Sequence, residues 1–391
     1  MKYIDEYRDA TLGRGLARAI ATAVKPGTRY TLMEFCGGHT HAIARHGLED
    51  LLPEGVRLVH GPGCPVCVLP VGRLDMAIAL ARDHGVILCT YGDMMRVPGS
   101  GGVTLLKVRA EGGDVRMVYS TLDAVAIAQE NRDRPVVFFA IGFETTTPPT
   151  ALAVSRAEIL RLSNFSVFCN HVLTPAAIQS LLDSPAVRDL EGGSIPLDGF
   201  IGPAHVSTVI GARPYEYFAE EYRKPVVIAG FEPLDVLQAV LMLVRQINDG
   251  RAEVEVQYAR AVTRWGNKKA QALVAGMFEL RKVFDWRGLG PVPYSALRFN
   301  ARHAAWDAER RFALAEHTGH DPRGCDCGAI LRGVKEPRDC RLFGTVCTPD
   351  TPKGACMVSS EGACAAYWTH GRFRDARNGE DRRCADHSPT P

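Results

Sequence analysis

The chain has 391 residues, 46% of them hydrophobic, and its 46 Lys and Arg residues nearly balance its 44 Asp and Glu residues. This length suggests two or three domains, and a balanced charge without a basic stripe argues against nucleic-acid binding. Because no apolar run approaches the roughly 18 residues of a membrane span, and the first residues lack the apolar region of a signal peptide, we expect a soluble cytoplasmic protein.

Short β-branched runs alternate with helical patterns over the first two-thirds of the chain. The predicted strands are residues 30–35, 56–60, 86–90, 136–141, 166–170, 199–201 and 226–229. The predicted helices between them are residues 73–83, 121–131, 149–162 and 174–182. This alternation is typical of βαβ units, so we predict an α/β fold with a mostly parallel sheet.

Two similar segments suggest two α/β halves. Residues 134–137 lead to Gly142-Phe143-Glu144, and residues 224–227 lead likewise to Gly230-Phe231-Glu232. A recurrent strand-to-loop device or chance similarity of two buried strands explains the match equally well. We place the first α/β domain at 1–125 and the second at 126–240.

The pattern changes after about residue 240, where we place a third domain, 241–391. Residues 237–247 and 268–283 look helical, and 301–317 predicts a longer amphipathic helix. The final part is rich in glycine, proline and cysteine and poor in apolar runs, so it would need a metal or cluster to hold it. After residue 369 we expect a frayed tail.

Cysteine is unusually frequent and unevenly placed, with 12 residues in the chain. Cys36 ends a predicted strand and precedes two glycines, His39 and His41. Such a thiol should be accessible, with a pKa lowered by backbone N–H groups, and the histidines could relay a proton. The alternative is a buried structural cysteine with capping histidines.

Cys64 and Cys67 are separated by two residues in a loop with glycines at 61 and 63. This spacing allows a disulfide across one turn or half of a tetrahedral metal site. Redox or labile-metal chemistry, structural zinc and inert packing all remain open.

Six cysteines between 325 and 364 form the densest group. No pair among them is separated by two residues, and gaps of 14, 6 and 16 residues separate Cys325, Cys340, Cys347 and Cys364. This irregular spacing favours a [4Fe–4S] cluster over a zinc ribbon, although zinc stays open.

Weaker candidates follow apolar runs where cleft-facing loops are expected. They are Asp93, Glu144, His171, His205 and Glu232. A structural role is the alternative for each of them. No phosphate-binding loop is present, since Gly99–Gly102 has the pattern of a flexible turn only.

Five long motifs resemble those of the HypD family of hydrogenase maturation factors. They are Cys-Gly-Gly-His-Thr-His at 36–41, Gly-Pro-Gly-Cys-Pro-Val-Cys at 61–67, Tyr-Gly-Asp-Met-Met-Arg-Val-Pro-Gly at 91–99, Gly-Phe-Glu-Thr-Thr at 142–146 and Cys-Met-Val-Ser-Ser-Glu-Gly-Ala-Cys at 356–364. The resemblance extends from about residue 5 to 370. It implies two Rossmann-like α/β domains facing across a cleft, with a C-terminal iron–sulfur domain.

The resemblance also implies a function and partners. The family assembles the Fe(CN)2CO unit of [NiFe] hydrogenases together with the chaperone HypC, and so serves the hydrogenase large subunit indirectly. Iron would be held by Cys36 and a HypC cysteine, and HypE would deliver cyanide as a thiocyanate. Cys64 and Cys67 would provide redox chemistry, and Cys325, Cys340, Cys347 and Cys364 would bind the [4Fe–4S] cluster, with Cys327 and Cys356 as alternatives.

Two other functions fit parts of the sequence. An iron–sulfur-dependent thiol–disulfide oxidoreductase would use Cys64 and Cys67 but leave Cys36 without a role. A zinc-stabilised adaptor would use the C-terminal cysteines for structure alone. Metal analysis under anaerobic conditions distinguishes these hypotheses.

Overall fold

The computed structural model of the chain describes residues 5–183, 197–315, 317 and 319–371. Its strands are β1 Tyr30–Glu34, β2 Val56–His60, β3 Ile87–Thr90, β4 Val115–Met117, β5 Val136–Gly142, β6 Phe165–His171, β7 Gly199–Pro203, β8 Val226–Ala229, β9 Val254–Val256, β10 Phe278–Leu280, β11 Val283–Trp286, β12 Gly290–Pro293 and β13 Leu297–Phe299.

The helices cover both faces of the sheets and connect their strands. They are α1 Ala10–Ala23, α2 Gly37–His46, α3 Pro65–Val68, α4 Val71–Asp83, α5 Leu105–Ala110, α6 Thr121–Glu130, α7 Thr147–Ile159, α8 Thr174–Asp183, α9 Ala204–Ile210, α10 Glu216–Tyr222, α11 Pro233–Asn248, α12 Lys268–Met277, α13 Ala308–Arg311, α14 Cys327–Leu331 and α15 Ala363–His370. Short 3-10 turns lie at Asp5–Arg8, Leu48–Leu51, Gly92–Met95, Ser100–Gly102, Arg213–Tyr215, Ala301–Trp306, Pro337–Asp339 and Ala355–Met357.

Two parallel sheets form the α/β part of the molecule. The first has the strand order β2-β1-β7-β8-β9 and the second the order β4-β3-β5-β6. All neighbouring strands in both sheets are parallel. Every residue of β5 and β6 is buried, as expected for strands covered on both faces. The predicted Rossmann-like α/β class is confirmed.

The two sheets interleave along the chain. Strand β7 pairs with β1, so the first sheet joins residues 30–60 to residues 199–256, while residues 87–171 form the second. The predicted first domain, residues 1–125, contains β1 and β2 together with β3 and β4. In the structure these two pairs of strands belong to different sheets. The matching loops after β5 and β8 belong to different sheets, which fits a recurrent strand-to-loop device.

The region after residue 248 contains less helix than the sequence predicts. The predicted helix 268–283 ends at Met277 because the next residues pair with β13 as the antiparallel strand β10. The predicted helix 301–317 is also wrong. The Asn300 side chain caps one short turn at His303 N, Asp307 caps the next at Glu309 N, and Ala313 has a φ of 45° that ends helical geometry.

Helices of the described ranges are too short or too polar to cross a membrane. Cys384 and the tail from residue 372, which the sequence predicts to be frayed, lie outside the described residues.

Candidate functional site

Cys36 lies between the carboxyl end of β1 and the first turn of α2. Its backbone N–H donates to Glu34 Oε2 at 3.0 Å, and the next N–H, of Gly37, donates to Gly63 O at 3.0 Å. A Cβ at Gly63 would lie 2.3 Å from Cys36 N, so only glycine permits this approach. The two motif loops after β1 and β2 therefore form one unit.

His205 is the side chain that contacts the Cys36 thiol, at 3.3 Å between Nδ1 and Sγ. It lies in the first turn of α9, after β7, the parallel neighbour of β1. Burial lowers the pKa of His205 to about 4, so the ring is neutral near pH 7. The sequence offered His205 only as a weak candidate, because the pairing of β7 with β1 spans a long stretch of chain.

His39 and His41, the imidazoles expected beside Cys36, have other partners. His39 is fully buried, and its Nε2 lies 3.0 Å from Ala229 O and 3.0 Å from Gly230 O. This contact ties α2 to the loop after β8, while His39 Nδ1 has no hydrogen-bonding partner among the described residues. The ring of His41 packs edge-on against His370 at 5.2 Å.

The electrostatic environment of Cys36 is opposite to the expected one. The residue is only 2% exposed, so the prediction of an accessible thiol is wrong. Burial, followed by the negative charge of Glu361, raises the pKa of Cys36 well above its ordinary value. The N–H groups of Gly38 and His39 favour the thiolate, as predicted, but they do not outweigh burial and two nearby carboxylates.

A buried carboxylate that the sequence did not point to holds this loop through hydrogen bonds. Glu34 is fully buried, accepts a hydrogen bond from the Thr40 hydroxyl and lies 2.7 Å from His60 Nδ1. Burial lowers the pKa of His60, but the hydrogen bond and charge of Glu34 outweigh it, and the net shift is upward. The available sequence signal was an acid inside an otherwise buried strand.

Cys64 and Cys67 are joined in a disulfide, with 5.2 Å between their Cα atoms. Cys64 caps the N-terminus of the single turn α3 and Cys67 lies within it, and the disulfide is buried, with the two residues 3% and 0% exposed. The glycines at 61 and 63 thus do not leave this loop exposed. They allow it to pack against the backbone of β1 and Cys36.

A cavity of about 440 Å³ borders this unit. Its walls come from the loops after β2, β3, β5 and β7 and from residues 359–361, so both sheets contribute. The lining includes two acidic residues, Asp93 and Glu361. It also includes His205 and Gly63, which both contact Cys36. Desolvation, followed by the charge of Asp93, raises the pKa of Glu361.

The six cysteines between 325 and 364, called here the C-terminal thiol cluster, lie close together. The Cys327 thiol lies within interaction range of the thiols of Cys325, Cys356 and Cys364, and Cys347 is near enough to act on Cys364 electrostatically. Cys340 Sγ lies 3.9 Å from the carbonyl oxygen of Gly324, the residue before Cys325. The two alternatives, Cys327 and Cys356, thus lie beside Cys325 and Cys364, two of the four predicted ligands.

The donor chemistry of the C-terminal thiol cluster suits an iron–sulfur group. All its members except the half-buried Cys325 are buried. A Cβ at Gly354 would lie 2.5 Å from Cys327 Sγ and 2.7 Å from Cys325 Sγ, so glycine leaves room where sulfur atoms converge. Soft thiolates in this number are typical iron–sulfur ligands. Within the described ranges, no group of three or more His, Cys, Asp or Glu side chains is already arranged to hold a metal ion.

The remaining candidates have mostly structural contacts. Glu144 accepts hydrogen bonds from Thr174 N and Oγ1 at 2.9 and 3.0 Å, and burial raises its pKa to about 7. His171 Nε2 lies 2.9 Å from the hydroxyl of a buried threonine of α7, and Glu232 forms an ion pair with Arg8 at 2.5 Å. Among the weak candidates, the cavity is lined by Asp93 and His205.

Comparison with known proteins extends the sequence resemblance over nearly the whole chain. The family model HypD, described as the hydrogenase formation hypA family, matches residues 11–371. The hydrogenase maturation factor HypD of Rhizobium leguminosarum bv. viciae is 67% identical over 385 residues, covering 98% of this chain and 100% of the relative. That of Cupriavidus necator is 63% identical over 375 residues, with 96% and 98% covered. That of Escherichia coli K12 is 44% identical over 378 residues, with 95% and 98% covered.

Proposed function

This chain belongs to the HypD family of hydrogenase maturation factors, and from that premise we propose that it is the scaffold on which the Fe(CN)2CO unit of a [NiFe] hydrogenase is assembled. One observation carries the proposal. The Cys36 thiol lies 3.3 Å from His205, and the backbone of its loop is hydrogen-bonded to the loop that leads into the Cys64–Cys67 turn. This pair of loops borders one cavity.

Cys36 is the proposed anchor for iron, which is the cargo of the reaction. Burial contributes most to the raised pKa of Cys36, and the carboxylates of Glu361 and Glu34 add to it; these two negative charges would attract a bound cation. Binding of iron displaces the thiol proton, and His205 Nδ1, 3.3 Å from Sγ, lies within hydrogen-bonding reach of it. A cysteine of HypC would supply a second thiolate to the same iron.

Cys64 and Cys67 are the proposed source of two electrons for releasing cyanide. A thiocyanate delivered by HypE reacts with two thiols to give the HypE thiol, hydrogen cyanide and the Cys64–Cys67 disulfide, which balances electrons and protons. Support comes from the disulfide between these two cysteines in the structure, which is the oxidised state that this step would leave.

The C-terminal thiol cluster is the proposed route for restoring the dithiol. Cys325, Cys340, Cys347 and Cys364 would hold a [4Fe–4S] group, which transfers one electron at a time when bound. Support comes from packing, since α3 contacts the turn Ala355–Met357, which contains Cys356. The disulfide and the cluster are therefore neighbours.

Infrared spectroscopy of the protein co-purified with HypC and HypE tests the proposal. We expect cyanide and CO stretches from the wild-type complex and none from Cys36→Ala. HypC association should be weakened but retained, because an interface does not depend on one metal bond. Cys169→Ala is the control, since this buried cysteine lies in β6.

Persisting bands in Cys36→Ala would move the anchor elsewhere, with Cys64 and Cys67 as the next candidates. A wild-type complex without these bands that nevertheless reduces protein disulfides would favour the thiol–disulfide oxidoreductase.

A further inference from the structure

The tip of the β11–β12 hairpin lies between the disulfide and the C-terminal thiol cluster. The backbone N–H of Arg287 donates to Val68 O at 2.8 Å, directly after Cys67. On the other side, Gly288 touches Gly328, which follows Cys327, so closely that a Cβ at Gly288 would lie 2.8 Å from Gly328 Cα. Trp286, 2% exposed, anchors the tip from within.

The side chain of Arg287 is a buried cation that is not fully paired with negative charge and hydrogen-bond acceptors. The side chain is 3% exposed, and its ion pair is with Asp321, whose side chain is 36% exposed, at 3.2 Å between Nε and Oδ1. Despite this proximity, Nε has no hydrogen bond of acceptable geometry in the part of the chain that the structure describes. A buried guanidinium is costly unless further negative charge lies close by.

The hairpin tip places this cation at the C-terminal thiol cluster. Gly288, the next residue, contacts Gly328, which follows Cys327, and the ion-pair partner Asp321 lies four residues before Cys325. The hairpin thus brings one fixed cation to the thiols while its backbone is bound to the Cys64–Cys67 turn.

We propose that Arg287 is a positioning residue for electron transfer: its guanidinium raises the reduction potential of the cofactor on the C-terminal thiol cluster, and its backbone holds the disulfide turn beside it. This inference rests on the proposed function, since it requires an iron–sulfur group on these thiols. One-electron reduction adds a negative charge, and a buried cation stabilises the reduced form more than the oxidised form.

The test is an anaerobic redox titration of the full-length protein with dithionite as reductant, followed by visible absorption and electron paramagnetic resonance. In Arg287→Gln we expect at least a tenfold fall in the equilibrium constant for one-electron reduction, which corresponds to about 59 mV toward negative potential. Arg287→Lys keeps the charge and should stay close to wild type.

Arg332→Gln is the matched control, because its guanidinium donates to Gly288 O at the same hairpin tip. It should shift the potential much less than Arg287→Gln does, and an equal shift would show that the effect is not specific to Arg287. If Arg287→Gln loses the cluster altogether while Arg287→Lys retains it at the wild-type potential, the charge requirement is supported.

Three results would overturn the inference. An unchanged potential in a cluster-bearing Arg287→Gln variant would remove the electrostatic role of Arg287 and leave the proposed function standing. Equal shifts in the Gln and Lys variants would show that geometry rather than charge is responsible. A wild-type protein without acid-labile sulfide would instead refute the proposed redox route, and this inference with it.

Discussion

At the scale of single residues, the site depends on close backbone approach and on charges buried together. Gly63 allows the loop after β2 to touch Cys36, and Glu34 holds the Cys36 N–H from beneath. The chemistry of Cys36 therefore depends on Glu34, its neighbour in sequence, and also on remote groups from α9 and the segment 359–361.

Gly63→Ala should destabilise the protein and disturb Cys36. The added Cβ would lie 2.3 Å from Cys36 N and 2.5 Å from Cys36 Cα, so backbone must move. We expect a loss of about 1–3 kcal/mol, the usual cost of overpacking, measured by urea unfolding.

Gly15→Ala is the control for this change, because a Cβ at Gly15, within α1, would have no heavy atom within 4 Å. It should be neutral or stabilising by up to about 1 kcal/mol, since alanine favours helix. Equal unfolding midpoints for wild type and Gly63→Ala would contradict the tight contact between the two motif loops.

At the scale of elements, one buried ion cluster fixes the segment after α12 against the second sheet. Glu309, on α13, binds Arg73 of α4, with 3.0 Å from Arg73 Nη1 to Glu309 Oε2, and also binds Arg281. Both guanidiniums reach Cys169 O on β6, at 3.2 and 3.3 Å. Elements distant in sequence thus share one charged centre.

Glu309 should make stability depend on pH in the acid range. Burial raises its pKa, but hydrogen bonds and charge from Arg73 and Arg281 outweigh this and lower it to about 2, from 4.5. The folded pKa is the lower one, so the contribution of roughly 3 kcal/mol is complete above about pH 4.5 and is lost as pH falls through 2.

Glu309→Gln should therefore cost about 3–5 kcal/mol at pH 7, because the buried cation of Arg73 and the half-buried cation of Arg281 lose their partner, and should flatten the acid-side stability profile. Urea unfolding between pH 3 and 7 measures both effects. Glu279→Gln, which breaks a pair with Arg298 exposed by 42% on each side, should change stability by less than about 1 kcal/mol. Parallel acid profiles for wild type and Glu309→Gln would show that Glu309 does not carry this pH dependence.

At the scale of the whole molecule, two interleaved sheets and a thiol-rich segment surround the candidate site. The segment 359–361 completes the cavity that the sheet loops begin, and the turn with Cys356 contacts α3. If the C-terminal thiol cluster becomes disordered, the wall of the cavity should therefore be disturbed as well.

Anaerobically purified protein should be brown and contain about four iron and four sulfide per chain. Cys347→Ser should bleach the colour and increase hydrogen exchange in residues 325–371, because ligand binding there is coupled to folding. Cys89→Ala should keep the colour, since Cys89 is buried in β3, and should cost about 1 kcal/mol. Zinc in place of iron, without acid-labile sulfide, would contradict the prediction and favour the zinc-stabilised adaptor.

The sequence alone determined the features that rest on local order. Apolar runs predicted seven of the nine parallel strands, all but β4 and β9, and the helices α4, α6, α7, α8 and α11, because the periodicity of burial is a property of neighbouring residues. The spacing of Cys64 and Cys67 allowed the disulfide that the structure contains, since a turn can bring such cysteines together. The long motifs indicated the family, which the comparisons confirm.

Only the tertiary structure decided which distant groups meet. The pairing of β7 with β1 brings His205 to Cys36, and it also interleaves the two sheets across the predicted division at residue 125. The burial and carboxylates that raise the pKa of Cys36 depend on packing of remote segments, so a glycine-flanked thiol looked accessible in sequence. Likewise, residues 278–280 had a helical pattern but became a strand, because pairing with β13 outweighs weak local propensity.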